Sequence, residues 1–404
     1  MNPNPTAHPF HVLANPVGSL CNLDCKYCYY LEKERLYPKL QSRTMSLDVL
    51  ERFIAEYIQA QPNDEVNFLW QGGEPTLAGL DYFQQIVTLQ RKHAAGKKIS
   101  NALQTNATLL DERFCEFLAK ERFLLGVSVD GPERFHDSLR RSKGDSPTLS
   151  DTLRGLTLIK QFQIEFNLLC VVHRDNALHP LEVYEYLKSI GGRYLQFIPL
   201  VERQETQVSD EGLQLVLPTF QGKSKMMPWS VRPTDYGQFL ISIFDYWFRE
   251  DVGKVFVQLF DVTLENWLGL EPALCLFRTT CGNALAIEKN GDIYSCDHFV
   301  FPEYRLGNIA TQPLQTLAHS ESQQAFGNAK QSSLPRQCRE CDVYFACKGE
   351  CPKNRFDVTA DGEPGLNHLC QAYLAFFRHV TPAMNEMAAA ISPIFARPKS
   401  DRPA

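Results

Sequence analysis

Phe10-His-Val-Leu-Ala14, then Asn-Pro-Val-Gly-Ser-Leu, then Cys21-Asn-Leu-Asp-Cys25-Lys-Tyr-Cys28 with Tyr29 and Tyr30 behind it, is the stretch from which the remaining sequence can be read. A short apolar run of strand character opens into a loop with three cysteines, separated by three and then two residues. Three thiolates on one loop can converge on one metal centre and leave a coordination position open. A structural zinc site takes four ligands and closes, so a zinc knuckle completed from elsewhere is the plainer alternative.

Outward from this loop, one rhythm repeats to about residue 200: an apolar run, a loop, then apolar residues at helical spacing. The strands expected are Phe10–Ala14, Val66–Trp70, Ile99–Gln104, Leu124–Val129, Phe166–Val172 and Tyr194–Ile198. Between them the spacing predicts helices over Ser46–Gln59, Leu80–His93, Leu110–Lys120, Thr148–Gln161 and Pro180–Ser189. In the first of these, Ser46 can cap the N-terminus while Val49, Leu50, Phe53, Ile54 and Tyr57 form one stripe. Six β-loop-α units in series imply parallel strands with right-handed crossovers, an α/β fold of partial (β/α)6, TIM-like barrel type.

The barrel is expected over residues 1–232, with the polar, Pro- and Gly-broken stretch Val201–Pro233 as a connecting segment. Helices at Pro233–Phe248 and Leu259–Leu268 link it, over 233–270, to a second domain at 271–391. There, short strands flank a hairpin signal at Asn290-Gly291, cysteines are dense, and metal must supply part of the stability. A tail, 392–404, has the composition of disorder.

The chain has 404 residues, beyond the roughly 250–300 at which single cores stop growing, which suits a large unit plus a smaller one. With 47 acidic against 41 basic residues and no block of like charge, it offers no footprint for nucleic acid or an anionic membrane. The start, MNPNPTAHPFHVL, is no signal peptide, and no apolar run nears the ~18 residues of a membrane span, so a cytoplasmic location is expected. Thiols stay reduced there, and 13 cysteines read as metal ligands or catalytic thiols rather than disulfides.

In a barrel, chemistry collects at the C-terminal strand ends. Strand two ends in Gln71-Gly72-Gly73-Glu74-Pro75, where the glycines permit close backbone approach and Glu74 is an acceptor; alone, this would be an ordinary loop. Strand three ends in Gln104-Thr105-Asn106, strand four in Ser128-Val-Asp130-Gly131, and strand six in Gln196-Phe-Ile198-Pro199. Eight more cysteines follow residue 270: Cys275, Cys281, Cys296, Cys338, Cys341, Cys347, Cys351 and Cys370, enough for two four-thiolate sites, which zinc ribbons would also explain. Cys115 and Cys170 have apolar neighbours and read as core.

The three-cysteine loop, with Tyr27 as its aromatic, resembles that of the radical S-adenosylmethionine superfamily. The resemblance implies that Cys21, Cys25 and Cys28 hold a 4Fe-4S cluster whose fourth iron takes the methionine moiety of S-adenosylmethionine. It also implies cofactor contacts from Gly72, Gly73 and Glu74 near the amino group, from Ser128 and Asp130 near the ribose and carboxylate, and from Gln104, Asn106 and Leu195. Arg140 is implied as a carboxylate fork, a surface arginine being the alternative. Ala107 stands where the related pattern has Gly, which puts that turn in question.

The later cysteines resemble the SPASM domain, which binds two auxiliary 4Fe-4S clusters. The resemblance allots Cys275, Cys281, Cys296 and Cys351 to one and Cys338, Cys341, Cys347 and Cys370 to the other, for three clusters in all. Across nearly the whole chain, the runs Gln71–Leu80, Leu89–His93, Leu103–Asn106, Ser128–Pro132, Phe166–Val172 and Arg305–Asn308 are similar to anaerobic sulfatase-maturating enzymes. That family uses a 5'-deoxyadenosyl radical to abstract hydrogen from Cβ of a Cys or Ser in a sulfatase, making Cα-formylglycine. A sulfatase polypeptide as substrate and flavodoxin or ferredoxin as reductant are implied, with Asp297 as base and Tyr30 and Gln71 facing substrate or adenosine. A carboxylate beside an anionic cluster is expected to have a raised pKa. For Asp297 the plainer role is a hairpin hydrogen-bond acceptor, and for Tyr30 it is packing against the loop. The competing readings are a SPASM enzyme forming thioether or carbon-carbon crosslinks, and a zinc-bound interaction module.

Overall fold

The computed structural model describes residues 8–33, 42–205, 216, 220 and 222–395. Six parallel strands, β1 (His11–Ala14), β2 (Glu65–Trp70), β3 (Lys98–Thr105), β4 (Leu124–Ser128), β5 (Phe166–Val172) and β6 (Tyr194–Pro199), pair in sequence order. A hairpin of β7 (Arg203–Glu205) and β8 (Ser224–Met226) follows, flanking residues of the connecting segment that lie largely outside the described ones. The two-residue β9 (Phe256–Val257) then closes the β6 edge. The ends of the sheet do not pair among the described residues, so this is the partial barrel that the β-loop-α rhythm implies.

Helices α1 (Tyr29–Lys33), α2 (Leu47–Ala60), α3 (Leu80–His93), α4 (Glu112–Lys120), α5 (Glu133–Leu139), α6 (Leu149–Gln161) and α7 (Pro180–Ser189) occupy the crossovers. In α2 the Ser46 hydroxyl accepts from the Val49 N–H, capping the helix. Its stripe of Leu50, Phe53, Ile54 and Tyr57 is buried, and each such side chain contributes about 1.5–3 kcal/mol. The sequence pattern missed α1 and α5, which are only five and seven residues long.

The second domain is not a separate body. Its first strand, β10 (Ala284–Ile287), pairs in parallel with β1, from His11 opposite Ala284 to Ala14 opposite Ile287. Strands β11 (Asp292–Tyr294) and β12 (Arg305–Asn308) add on antiparallel, with Gly291 in the left-handed region (φ 85°) at the expected hairpin turn. One ten-stranded sheet therefore carries both halves.

The connecting helices are α8 (Pro233–Glu250) and α9 (Gln258–Trp267). Against them lies the last helix, Cys370–Phe395, through Phe244, Phe260, Phe376, Tyr236 and Tyr373. The expected tail is corrected here, since residues 392–395 continue this helix; 396–404 lie outside the described residues. No described helix is long and apolar enough to cross a membrane.

Candidate active site and cluster sites

The loop after β2 is bonded along its backbone to the cysteine loop after β1. The Gly73 N–H donates to Gly18 O (2.8 Å) and the Glu74 N–H to Leu20 O (2.9 Å). A Cβ on Gly73 would stand 2.1 Å from Leu20 O, so only glycine permits the approach. On its other side the loop is held by the Asp24 N–H to Arg141 O and the Lys26 N–H to Leu139 O. Burial, with neighbouring thiols adding to it, pushes the Cys21 thiol up to about 12, and burial does the same for Cys25. Such thiols become ligands only with a bound cation to hold the thiolate.

Glu74 is fully buried, and donors from its own chain surround it. Oε1 accepts from the Thr76 N–H (3.0 Å), the Thr76 hydroxyl (2.6 Å) and the Thr105 hydroxyl (2.8 Å), and Oε2 accepts from the Asn106 N–H (2.8 Å). The carboxylate thus ties β2 to the end of β3. Asn106 in turn donates to Asn22 Oδ1 in the cysteine loop (3.0 Å). Ala107 keeps the left-handed turn after all, at φ 62°, with its N–H donating to the Thr105 hydroxyl (2.9 Å). Gln104 donates to the Ser128 hydroxyl across Gly126, where a Cβ would strike the Gln104 oxygen.

Arg140 and Asp130 meet each other. The guanidinium reaches Asp130 through Nε (2.8 Å) and Nη2 (3.2 Å), while the Tyr27 hydroxyl (2.7 Å) and Val171 N–H (2.9 Å) complete the shell. Asp130 has no exposed surface and forms a buried ion pair behind the cluster-loop aromatic. Leu195 also departs from its expected place. It sits at the start of β6, opposite Leu168 and Val257, and lines a cavity with Glu165 and Arg193 at the other end of the sheet. Leu200, just beyond the far end of the strand, packs with Tyr27 and Leu139 instead.

The second domain brings Asp297 to the mouth of the cysteine loop. The Tyr29 hydroxyl approaches Asp297 Oδ2 (3.5 Å), Tyr29 and Tyr30 lie ring to ring at 4.4 Å, and Gln71 donates to the Tyr30 hydroxyl (3.3 Å). Lys33, 4% exposed, donates to the Asp297 carbonyl (2.7 Å) and lies over both tyrosine rings at 4.5 and 4.8 Å. Burial pushes the Asp297 carboxyl up, but His298 and Lys33 outweigh it, and the net result is a pKa below the usual carboxylate range. The rise expected beside an anionic cluster is opposed here by Lys33 and by the hydrogen bonds the carboxylate accepts from Cys296 and the His298 N–H. Lys33 itself, pushed down to about 8 by burial, had no signal in the sequence.

All 13 cysteines are free thiols. Cys296 feels Cys351 and Cys275, and Cys351 feels Cys275 and Cys281, each raising the other's pKa. Cys338, Cys341, Cys347 and Cys370 line one cavity of about 550 Å³; on top of burial, Cys370 and Cys338 raise the Cys347 thiol, and Cys338 and Cys341 raise Cys370. Cys351 thus lies near Cys275, Cys281 and Cys296 in space. Cys115 and Cys170 are buried core residues. A trio and two quartets of reduced thiols suit 4Fe-4S clusters, and the Gly72-Gly73 approach suits a ligand beside the trio.

The chain matches the radical SAM superfamily over residues 15–187 and an iron-sulfur cluster-binding domain, SPASM, over 275–342. It is 48% identical to the serine-type anaerobic sulfatase-maturating enzyme of Bacteroides thetaiotaomicron, over 95% of this chain and 92% of that one. It is 34% identical to the cysteine-type anaerobic sulfatase-maturating enzyme of Clostridium perfringens (strain ATCC 13124), over 94% and 98%. Among solved structures, native anSMEcpe with bound AdoMet and Cp18Cys peptide superposes with a TM-score of 0.81 at 34% identity, covering 95% of this chain and 100% of that one. Held against that trio, those quartets and the carboxylate at the loop's mouth, these likenesses place the chain among the anaerobic sulfatase-maturating enzymes of the radical SAM superfamily.

Proposed function

We propose that this chain oxidises Cβ of a Cys or Ser in a sulfatase polypeptide, giving the aldehyde of Cα-formylglycine. The observation that carries this reading is the convergence of Asp297 with the tyrosine pair that follows Cys28, 268 residues away in sequence from Tyr29. Serine loses two electrons and two protons to become the aldehyde. Cysteine loses the same to become a thioaldehyde, which water converts to the aldehyde with release of hydrogen sulfide.

Cys21, Cys25 and Cys28 would hold the cluster that binds S-adenosylmethionine, and the two quartets would hold the auxiliary clusters. When bound, S-adenosylmethionine with the reduced cluster supplies hydrogen-atom abstraction from Cβ, chemistry beyond any side-chain base. The bonds from Gly73 and Glu74 to Gly18 and Leu20 hold the ligand-bearing loop in place, and Glu74 fixes the two glycines that approach the methionyl amino group. Ser128 and Gln104 face the nucleoside side. Asp130 and Arg140 act through Tyr27, which they orient. Asp297 takes the hydroxyl or thiol proton, and Tyr30, Gln71 and the aliphatic stem of Lys33 shape the place where the target side chain sits. A one-electron carrier, flavodoxin or ferredoxin, provides the reducing electron in a cytoplasm that keeps thiols reduced.

The test is incubation of the anaerobically reconstituted protein with S-adenosylmethionine, reductant and sulfatase-motif peptides carrying Cys or Ser. A hydrazine-reactive aldehyde on either peptide is the expected product. Loss of two hydrogens without such a carbonyl would indicate crosslinking and overturn the assignment.

A further inference from the structure

The buried Arg140 meets a carboxylate, Asp130 at 2.8 Å, and so do the half-buried Lys188 (Asp251, 2.7 Å) and Lys353 (Glu202, 2.7 Å). In the second domain two buried cations have no such ion pair among the described residues. Lys330 is 1% exposed and spends its ammonium on the carbonyls of Cys275 (2.6 Å) and Leu276 (2.7 Å). Arg355 is 7% exposed and donates only to the carbonyls of Gly349, Lys330, Lys348 and Glu350. Among the described residues neither has a carboxylate oxygen within ion-pair distance. The nearby buried carboxylate, Glu350, accepts from Asn354 and Asn367 instead. An uncompensated buried charge is costly, so a fold that keeps two of them must meet them with another anion.

The groups that face them are thiols. Lys330 lies in the field of Cys281, Cys275 and Cys351, and Arg355 in that of Glu350 first and then of Cys351 and Cys281 from the first quartet and Cys338 from the second. A 4Fe-4S centre on four thiolates is anionic and gains a further negative charge on reduction, and surrounding charge sets its potential. We propose that Lys330 and Arg355 are the fixed counter-charges of the auxiliary clusters, raising their reduction potentials so that they accept an electron from the substrate side. Lys330 serves the first quartet, and Arg355 stands between the two. Glu350 offsets part of this charge. The proposal rests on the cluster reading given above.

The experiment is a redox titration followed by electron paramagnetic resonance, on reconstituted full-length protein carrying Cys21→Ala, Cys25→Ala and Cys28→Ala so that only auxiliary clusters contribute. Lys330→Gln keeps donors for the two carbonyls but removes the charge, Lys330→Met removes both, and Lys330→Arg keeps both. A lower midpoint potential in the Gln and Met variants, with the Arg variant near the parent, is the expected result. Unshifted potentials in fully loaded Gln and Met variants would overturn it. If the Gln and Met variants fail to take up iron while Arg loads, the potential is read instead in Arg355→Lys and Arg355→Gln, where a lower midpoint in Gln alone supports the proposal and equal midpoints overturn it. Absence of iron from the parent protein itself would sink the cluster reading, a separate result.

Discussion

The Asp130–Arg140 pair gives a sharp test of whether Arg140 serves the fold or the cofactor's carboxylate. In Arg140→Met the buried carboxylate keeps the Tyr27 hydroxyl and Val171 N–H but loses its cation. Breaking a buried pair from one side costs about 3–5 kcal/mol, and Asp130→Asn, which strands the guanidinium, costs a similar amount. Removing both charges leaves no stranded ion, so the double variant costs no more than either single, a coupling of about 3 kcal/mol or more. Acid gives a second reading of the same pair. Burial, the largest influence, pushes the Asp130 carboxyl up, but Arg140 outweighs it and the folded pKa lies below the ordinary value. Its stabilisation is therefore present above the unfolded carboxyl's pKa of about 3.9 and lost as pH falls through the folded value. Arg140→Met should accordingly move the acid-unfolding midpoint to higher pH. The assay is anaerobic urea unfolding of the three variants followed by near-ultraviolet circular dichroism, with S-adenosylmethionine affinity measured by equilibrium dialysis on the folded proteins. An Arg140→Met protein of unchanged stability that binds S-adenosylmethionine tenfold or more weakly would refute the reasoning, since its fork would then belong to the ligand.

Two other substitutions probe the loop and the base. Gly73→Ala places a methyl 2.1 Å from Leu20 O and must push the β2 loop off the cysteine loop, an overpacking of about 1–3 kcal/mol; it should abolish S-adenosylmethionine cleavage while leaving auxiliary-cluster iron in place, and parental cleavage would count against the cradle. Asp297→Asn should still cleave S-adenosylmethionine but yield little aldehyde, read by hydrazine labelling, and full aldehyde yield would remove its role as base.

Much of the barrel was legible because each strand is short, apolar and followed by a helix with a one-sided stripe, and local pattern suffices for that. The α1 and α5 helices were not legible, because five and seven residues give too few turns for a period to show. The site divided along the same line. Motif residues such as Gly73 and Asp297 could be picked out, yet what they touch depends on partners far along the chain. Arg140 and Asp130 lie ten residues apart at no helical spacing, so their mutual bond follows from the turn of α5 alone. Leu195 lies at the N-terminal end of β6, away from the C-terminal ends where the site gathers, whereas Leu200, five residues on, packs with Tyr27. Lys33 reaches Asp297 across 264 residues, and no composition or spacing announces such a contact.

The pairing of β10 with β1 has a consequence for the order of synthesis. The first strand to leave the ribosome has its outer edge bonded to residues 284–287, and Asn15, just past that strand, donates to Glu288 at 2.7 Å. Until some 270 further residues have been translated, that edge offers unpaired backbone groups to any strand nearby, the usual template for wrong pairing. The nascent barrel thus carries an open sheet edge until residues 284–287 have been made, and the strand that leads into the cysteine loop gains its second neighbour only then.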